Sequence, residues 1–142
     1  MKNLLTGALL MTLSSISIAS NEQEIIQVIH NYAQGTETNN VSLIDQSFHP
    51  DFRVVALTEQ GVRVIDKKSY LSLLGAKKIG GQQRTLLIKQ LNIQSQTAQA
   101  NVKLSGGKSV FNDKLQLLKQ KGVWQIVNNL TEVQTYSTGD EN

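Results

Sequence analysis

Two polar side chains interrupt otherwise apolar strand faces near the C-terminal end of this chain, and they hold its clearest chemical promise. From Phe111 to Leu130 the sequence reads FNDKLQLLKQKGVWQIVNNL. Phe111, Asp113, Leu115 and Leu117 alternate with polar Asn112, Lys114 and Gln116; Lys121-Gly122 supplies a turn; Trp124, Ile126, Asn128 and Leu130 form the matching set on the returning strand. The spacing predicts a β-hairpin whose inward face carries one carboxyl, Asp113, and one amide, Asn128. Flanked two residues either way by Phe111 and Leu115, Asp113 is expected to face inward. A carboxyl buried without a basic partner has a raised pKa and can serve as a general acid or base. The same burial suits a structural role, with Asp113 paired to Arg84 or Arg63 or bonded to a helix end.

His49 is the second candidate, as an acid–base partner for Asp113 or for Asp51 across Pro50. The bland alternative makes Phe48-His49-Pro50-Asp51 a helix-stop turn, with Asp51 bonding local amides and His49 half exposed. Tyr32, Phe52, Tyr70, Phe111 and Trp124 have the spacing either of a pocket that stacks a flat ring or of plain core. Aromatic residues make up only 5 % of the chain, so their concentration on inward faces tilts the reading toward a planar ligand. A metal site is not expected, because the only histidines are His30 and His49 and there is no cysteine. No Gly-x-Ser-x-Gly elbow is present, and the Gly75 to Gly80 spacing lacks the Lys-Ser/Thr of a phosphate loop.

The elements that must position these residues begin with an amphipathic helix. Ile25, Val28, Ile29, Tyr32 and Ala33 follow its spacing behind a capping box at Asn21 and Glu24. Asn40 is expected to cap a second helix over Val41–Ser47, closed by Pro50. Phe52–Thr58 and Val62–Ile65 read as a hairpin. Asp66 caps a third helix carrying Tyr70, Leu73 and Leu74 and ending at Gly75, and residues 76–81 read as a mobile loop. The remainder reads as strand: Gln82–Gln94 with apolar residues on both faces, then Ala98, Ala100, Val102 and Leu104 in clean alternation, then the hairpin. The resulting class is α+β, a curved antiparallel sheet packed against about three N-terminal helices.

The chain start has secretory grammar: Lys2, an apolar run from Leu4 to Leu13, and Ser17-Ile18-Ala19 as a cleavage signal. The expected organisation is a signal peptide over residues 1–19, one domain over 20–134 and a disordered tail over 135–142. The protein is accordingly expected to be exported, periplasmic or secreted, with no membrane insertion after cleavage. From Ser20 on, 13 basic residues face 11 acidic ones, scattered rather than striped, which gives no case for nucleic acid.

Two blocks of sequence carry a resemblance. The run from Ile29 to Phe52, with Tyr32-x-x-Gly35 and then Phe48-His49-Pro50-Asp51, resembles the opening of the nuclear transport factor 2-like superfamily. The closing pattern Phe111-Asn112-Asp113 … Leu115 … Leu118-Lys119 … Gly122-x-Trp124-x-Ile126-Val127 is similar to that of its exported, lumazine-binding-like branch. The resemblance implies a cone-shaped α+β barrel with a cavity between the first and third helices and the sheet. The family often has an acidic residue where Asn40 stands and a basic one near Asn129, and the missing base argues against an anionic ligand held at that point.

The reading that follows is a binding protein rather than an enzyme. It takes a small apolar or aromatic molecule, with Tyr32, Phe52, Tyr70, Phe111 and Trp124 as walls, Asp113 and Asn128 as the polar floor, and no cofactor. One alternative is an isomerase, cyclase or dehydratase-like enzyme with Asp113 as base and Tyr32 or His49 as partner. The other is a homodimer that pairs through the outer sheet face, motivated by two-sided apolar content in Leu86–Ile93 and Leu117-Leu118.

Overall fold

The computed structural model describes the backbone of residues 2–136 and the side chains of residues 20–136. Three helices and six strands follow in chain order: α1 (Lys2–Glu37), α2 (Val41–Ser47), β1 (Phe48–Thr58), β2 (Gly61–Asp66), α3 (Lys67–Gly75), β3 (Thr85–Gln94), β4 (Thr97–Gly106), β5 (Ser109–Gln120) and β6 (Val123–Thr135). Local chemistry accounts for the boundaries. Asn40 accepts a hydrogen bond from Leu43 N (3.1 Å) and Asp66 from Ser69 N (2.8 Å), the two expected N-caps. Asn21 does not cap, because α1 runs through it without a break. The expected signal peptide falls on side chains outside the described residues. Of the expected tail, Thr135 still belongs to β6 and Tyr136 N bonds Lys108 O (2.8 Å), while residues 137–142 lie outside the described residues.

The six strands form one curved, unclosed sheet in the order β2-β1-β6-β5-β4-β3. The expected all-antiparallel sheet is mixed, since β1 runs parallel to β6. The cause is α3. It carries the chain across to the far edge so that β3 runs in the same direction as β2, and three successive hairpins then bring β6 back alongside β1 in β1's own direction. The inner faces of the sheet and the inward stripe of α1 (Ile25, Ile29, Tyr32) enclose the core, together with Ile44, Leu74, Ala100, Val102, Leu115, Leu117 and Ile126.

Two β-bulges correct the register read from simple alternation. In β3, Ile88 pairs with Val102 and Gln90 with Asn101, which leaves Lys89 as the extra residue. The bulge turns Leu86, Ile88, Leu91 and Ile93 all toward the core, which leaves Leu87 as the apolar residue on the outer face of this strand. In β6, Leu117 pairs with Ile126 and Gln116 with Asn128, leaving Val127 unpaired. From that point the inward positions become Asn129, Thr131 and Val133, and Leu130 is turned out to solvent.

The segment after α3 is tethered rather than free. Asn39, held at φ 51°, donates from Nδ2 to Leu74 O (3.1 Å) and Ile79 O (2.9 Å), and Gly81 N donates to Thr36 O (2.9 Å). Gly80 sits at φ +72°, and a Cβ there would lie 2.3 Å from Thr36 O, so only glycine lets this loop approach α1.

Candidate ligand-binding site

α1, α3 and the concave sheet face surround a cavity of about 300 Å³. That volume is at the lower end of the roughly 300–1,000 Å³ typical of small-molecule pockets. Tyr32, Tyr70, Phe111, Val54, Ile65 and Leu104 supply much of its wall. Helical spacing places Tyr32 over the sheet, and the α3 cap at Asp66 sets the rotation that turns Tyr70 inward. Behind these walls, Phe48 stacks on Phe52 with ring centroids 3.7 Å apart and meets Tyr70 edge-on at 5.2 Å.

At the cavity floor a short polar relay crosses three elements. Asn129 Nδ2 donates to Tyr32 Oη (3.5 Å), and Tyr32 Oη donates to Asp113 Oδ2 (2.9 Å). Asp113 is 1 % exposed and lies beneath Tyr32 rather than on the cavity wall. Burial pushes its carboxyl above the usual range, and Thr131, Tyr32, Asn129 and Arg84 pull it part of the way back. Thr131 lies directly across the β5–β6 ladder from Asp113, yet neither it nor Asn129 closes a well-formed hydrogen bond to the carboxyl. Asp113 Oδ1, Asn129 Oδ1 and Thr131 Oγ1 are therefore buried without partners. Burial, and then the nearby Asp113 charge, hold Tyr32 well above the ordinary phenol range. Burial does the same to Tyr70, with the Thr36 hydroxyl pulling the other way. Both phenols stay neutral, and Tyr32 acts as a donor to Asp113.

Among the residues proposed from sequence, Tyr32, Tyr70 and Phe111 line the cavity, and Asp113 stands directly behind it. Four others do not line it. Phe52 is core behind Phe48. The Val127 bulge turns Asn128 to the outer face, where its Nδ2 bonds Gln116 Oε1 (3.1 Å) and Asn129 takes its place on the floor. Trp124 is buried at the hairpin tip, its Nε1 donating to Asn21 Oδ1 (3.1 Å) beside Lys119 Nζ (3.0 Å), so its fluorescence reports the anchoring of α1 rather than the cavity. His49 bonds Gln120 Oε1 through Nε2 (3.1 Å) and accepts from Asp51 N through Nδ1 (3.1 Å), and no bond links it to Asp113. Among the described residues, no group of three His, Asp or Glu side chains could hold a metal ion.

Strict alternation put Asn128 on the floor and passed over Asn129 and Thr131, because nothing in it marks the bulge; the resemblance alone singled out Asn129, as a position near which a base is often found. A second trace is that Asn129, Thr131 and Val133 alternate in the opposite phase to Trp124 and Ile126. Sequence reasoning named Arg84 only as a salt-bridge partner. The guanidinium instead lies 4.5 Å from the centroid of Phe111, with Nη1 donating to Gly106 O and Ser109 O (3.1 Å each).

A family model described as "Putative lumazine-binding" matches residues 20–130. No curated protein matches the chain. Among solved structures, a nuclear transport factor 2-like protein of unknown function from Silicibacter pomeroyi gives a TM-score of 0.75 at 14 % identity, covering 82 % of this chain and 98 % of its own. A similar protein of unknown function from Shewanella baltica gives 0.73 at 15 % identity, covering 82 % and 95 %. A protein of unknown function with a cystatin-like fold from Nostoc punctiforme gives 0.67 at 15 % identity, covering 82 % and 92 %. At these identities the likeness is one of fold.

Proposed function

Because this chain belongs to the "Putative lumazine-binding" family of the nuclear transport factor 2-like superfamily, we propose that it binds a small planar molecule in the cavity beneath α1 and α3. One observation carries the reading: an apolar cavity of about 300 Å³ walled by Tyr32, Tyr70 and Phe111. A flat ring packs its faces against those aromatic walls. Catalysis is not required by this arrangement, since Asp113 reaches the cavity only through Tyr32.

The test is titration of lumazine into the protein, followed by the ligand's own fluorescence and by calorimetry. Saturable one-to-one binding is expected, weakened about tenfold by Phe111→Leu, the worth of one aromatic contact. Absence of both heat and fluorescence change at millimolar lumazine would sink this ligand class.

A second reading, compatible with the first, is pairing of two copies through the outer sheet face. Its support lies in Leu57, Val62, Val64 and Leu130, which leave 47–65 % of their surface exposed. They adjoin one another through the Leu57–Val62 and Val55–Val64 pairs and the Val55–Leu130 pair. An aliphatic patch on an outer sheet face marks an interaction site. Light scattering on the exported protein is expected to give the mass of two chains, each beginning at Ser20. A single-chain mass would reject the dimer, and a chain beginning at Met1 would reject the leader.

A further inference from the structure

The charges that face the cavity come from three places: Glu37 at the end of α1, Arg63 on β2 and Arg84 just before β3. The remaining ionisable groups around it are Tyr32, Tyr70 and the hidden Asp113. Among the described residues, neither arginine has a carboxylate within ion-pair distance. The two cations are held very differently. Arg84 is fixed: Nη1 bonds Gly106 O and Ser109 O, Nη2 bonds Gln82 Oε1 (3.1 Å) and Ser109 Oγ (3.2 Å), and the guanidinium rests on Phe111. Its N–H fork cannot swing toward an occupant, so it contributes a stationary positive charge at an apolar wall. Arg63 is exposed, without a hydrogen-bond partner among the described residues, and its fork is free. Low-dielectric walls concentrate the field of such charges on whatever fills the cavity.

We propose that the occupant is an aromatic monoanion, its ring against Tyr32, Tyr70 and Phe111 and its negative charge on the side of Arg63 and Arg84. This rests on the ligand-binding reading above and narrows it. Arg84 sets the sign of charge that the cavity accepts, and Arg63 closes over the anion with a bidentate fork. The missing base at Asn129 is thereby compensated from the two edges of the sheet, from β2 and the segment before β3.

The experiment compares 2-naphthoate with 2-naphthamide, two bicyclic probes of nearly equal shape that differ in charge, by calorimetry on the protein from Ser20 on. The carboxylate is expected to bind about tenfold more tightly, as charge-assisted hydrogen bonds imply. That advantage is expected to shrink in 0.5 M salt as screening shortens to roughly 4–5 Å. Arg63→Gln, at an exposed position that leaves folding intact, removes most of the carboxylate's advantage over the amide; Arg84→Lys keeps the sign of the preference. Equal binding of the two probes overturns the charge assignment while the cavity reading stands. A preference untouched by Arg63→Gln overturns the role of Arg63. If neither probe nor lumazine binds, the cavity reading fails and this inference falls with it.

Discussion

Replacing Phe48 by alanine is expected to lower the unfolding free energy by about 3–5 kcal/mol, the usual cost of truncating a core phenylalanine. A domain of this size then loses more than about 10 °C in Tm. Phe48 is fully buried, stacks on Phe52 at 3.7 Å, and lies 5.8 Å from Tyr32 and 5.2 Å from Tyr70 by ring centroid. The site cannot relax to fill the void. Phe48 N bonds Ile44 O, and its carbonyl accepts from Lys67 Nζ (3.0 Å) and Gln125 Nε2 (3.4 Å), so the backbone stays in place. The same substitution removes the ring that backs both Tyr32 and Tyr70, and ligand affinity is expected to fall with stability. Differential scanning calorimetry decides the matter, with Val123→Ala at the exposed start of β6 as a control expected to stay within about 0.5 kcal/mol. A loss at Phe48 no larger than that control would show that the aromatic cluster does not support the cavity.

The second large effect has the opposite sign. Asp113→Asn is expected to stabilise the protein near neutral pH, by about 1–3 kcal/mol if the carboxylate bears the ordinary penalty of a buried, partly satisfied group. The amide keeps an acceptor for Tyr32 Oη and adds donors for the orphaned Thr131 Oγ1 and Asn129 Oδ1. The pH dependence follows from the direction of the shift. Burial raises the Asp113 pKa in the folded state, so between the unfolded and folded values the native protein binds more protons than the unfolded chain. Stability from this group is therefore complete below the unfolded value of about 3.9 and is lost as pH rises through the folded value. The gain from Asp113→Asn should be present at pH 7 and vanish below about pH 4. Thermal melts of both proteins across that range measure it. A Tm several degrees lower for the variant at pH 7 would show that the fold depends on the ionised carboxylate. If the chain instead turned over a substrate with Asp113 as base, the variant would lose turnover while keeping this stability gain.

The family likeness was legible in the chain because it rests on short-range chemistry. The caps at Asn40 and Asp66, the Tyr32-x-x-Gly35 stripe and the Lys121-Gly122 turn are each decided within a few residues. They specified where α2 and α3 begin and where the last hairpin turns, whereas β1 begins at Phe48 rather than Phe52 and β3 at Thr85 rather than Gln82. The inward placement of Asp113 was legible for the same reason, since strict alternation holds along β5 up to Leu117.

What the tertiary structure decided are the features that alternation cannot encode. A single extra residue reverses every side chain beyond it, so Val127 exchanges Asn128 for Asn129 on the floor, and Lys89 brings Leu91 and Ile93 onto the face of Leu86 and Ile88. The parallel β1–β6 pair depends on where α3 sets the chain down, and the separation of Trp124 from the cavity depends on contacts with a residue 103 positions away. The sequence alone therefore determined that a buried carboxyl sits in an aromatic-rich curved sheet, because that follows from local period and residue type. Its partners were decided in three dimensions. Tyr32 reaches Asp113 from a helix, Asn129 reaches Tyr32 from the neighbouring strand, and the Arg63 and Arg84 charges reach the cavity from the two edges of the sheet, through long-range packing that no local spacing records.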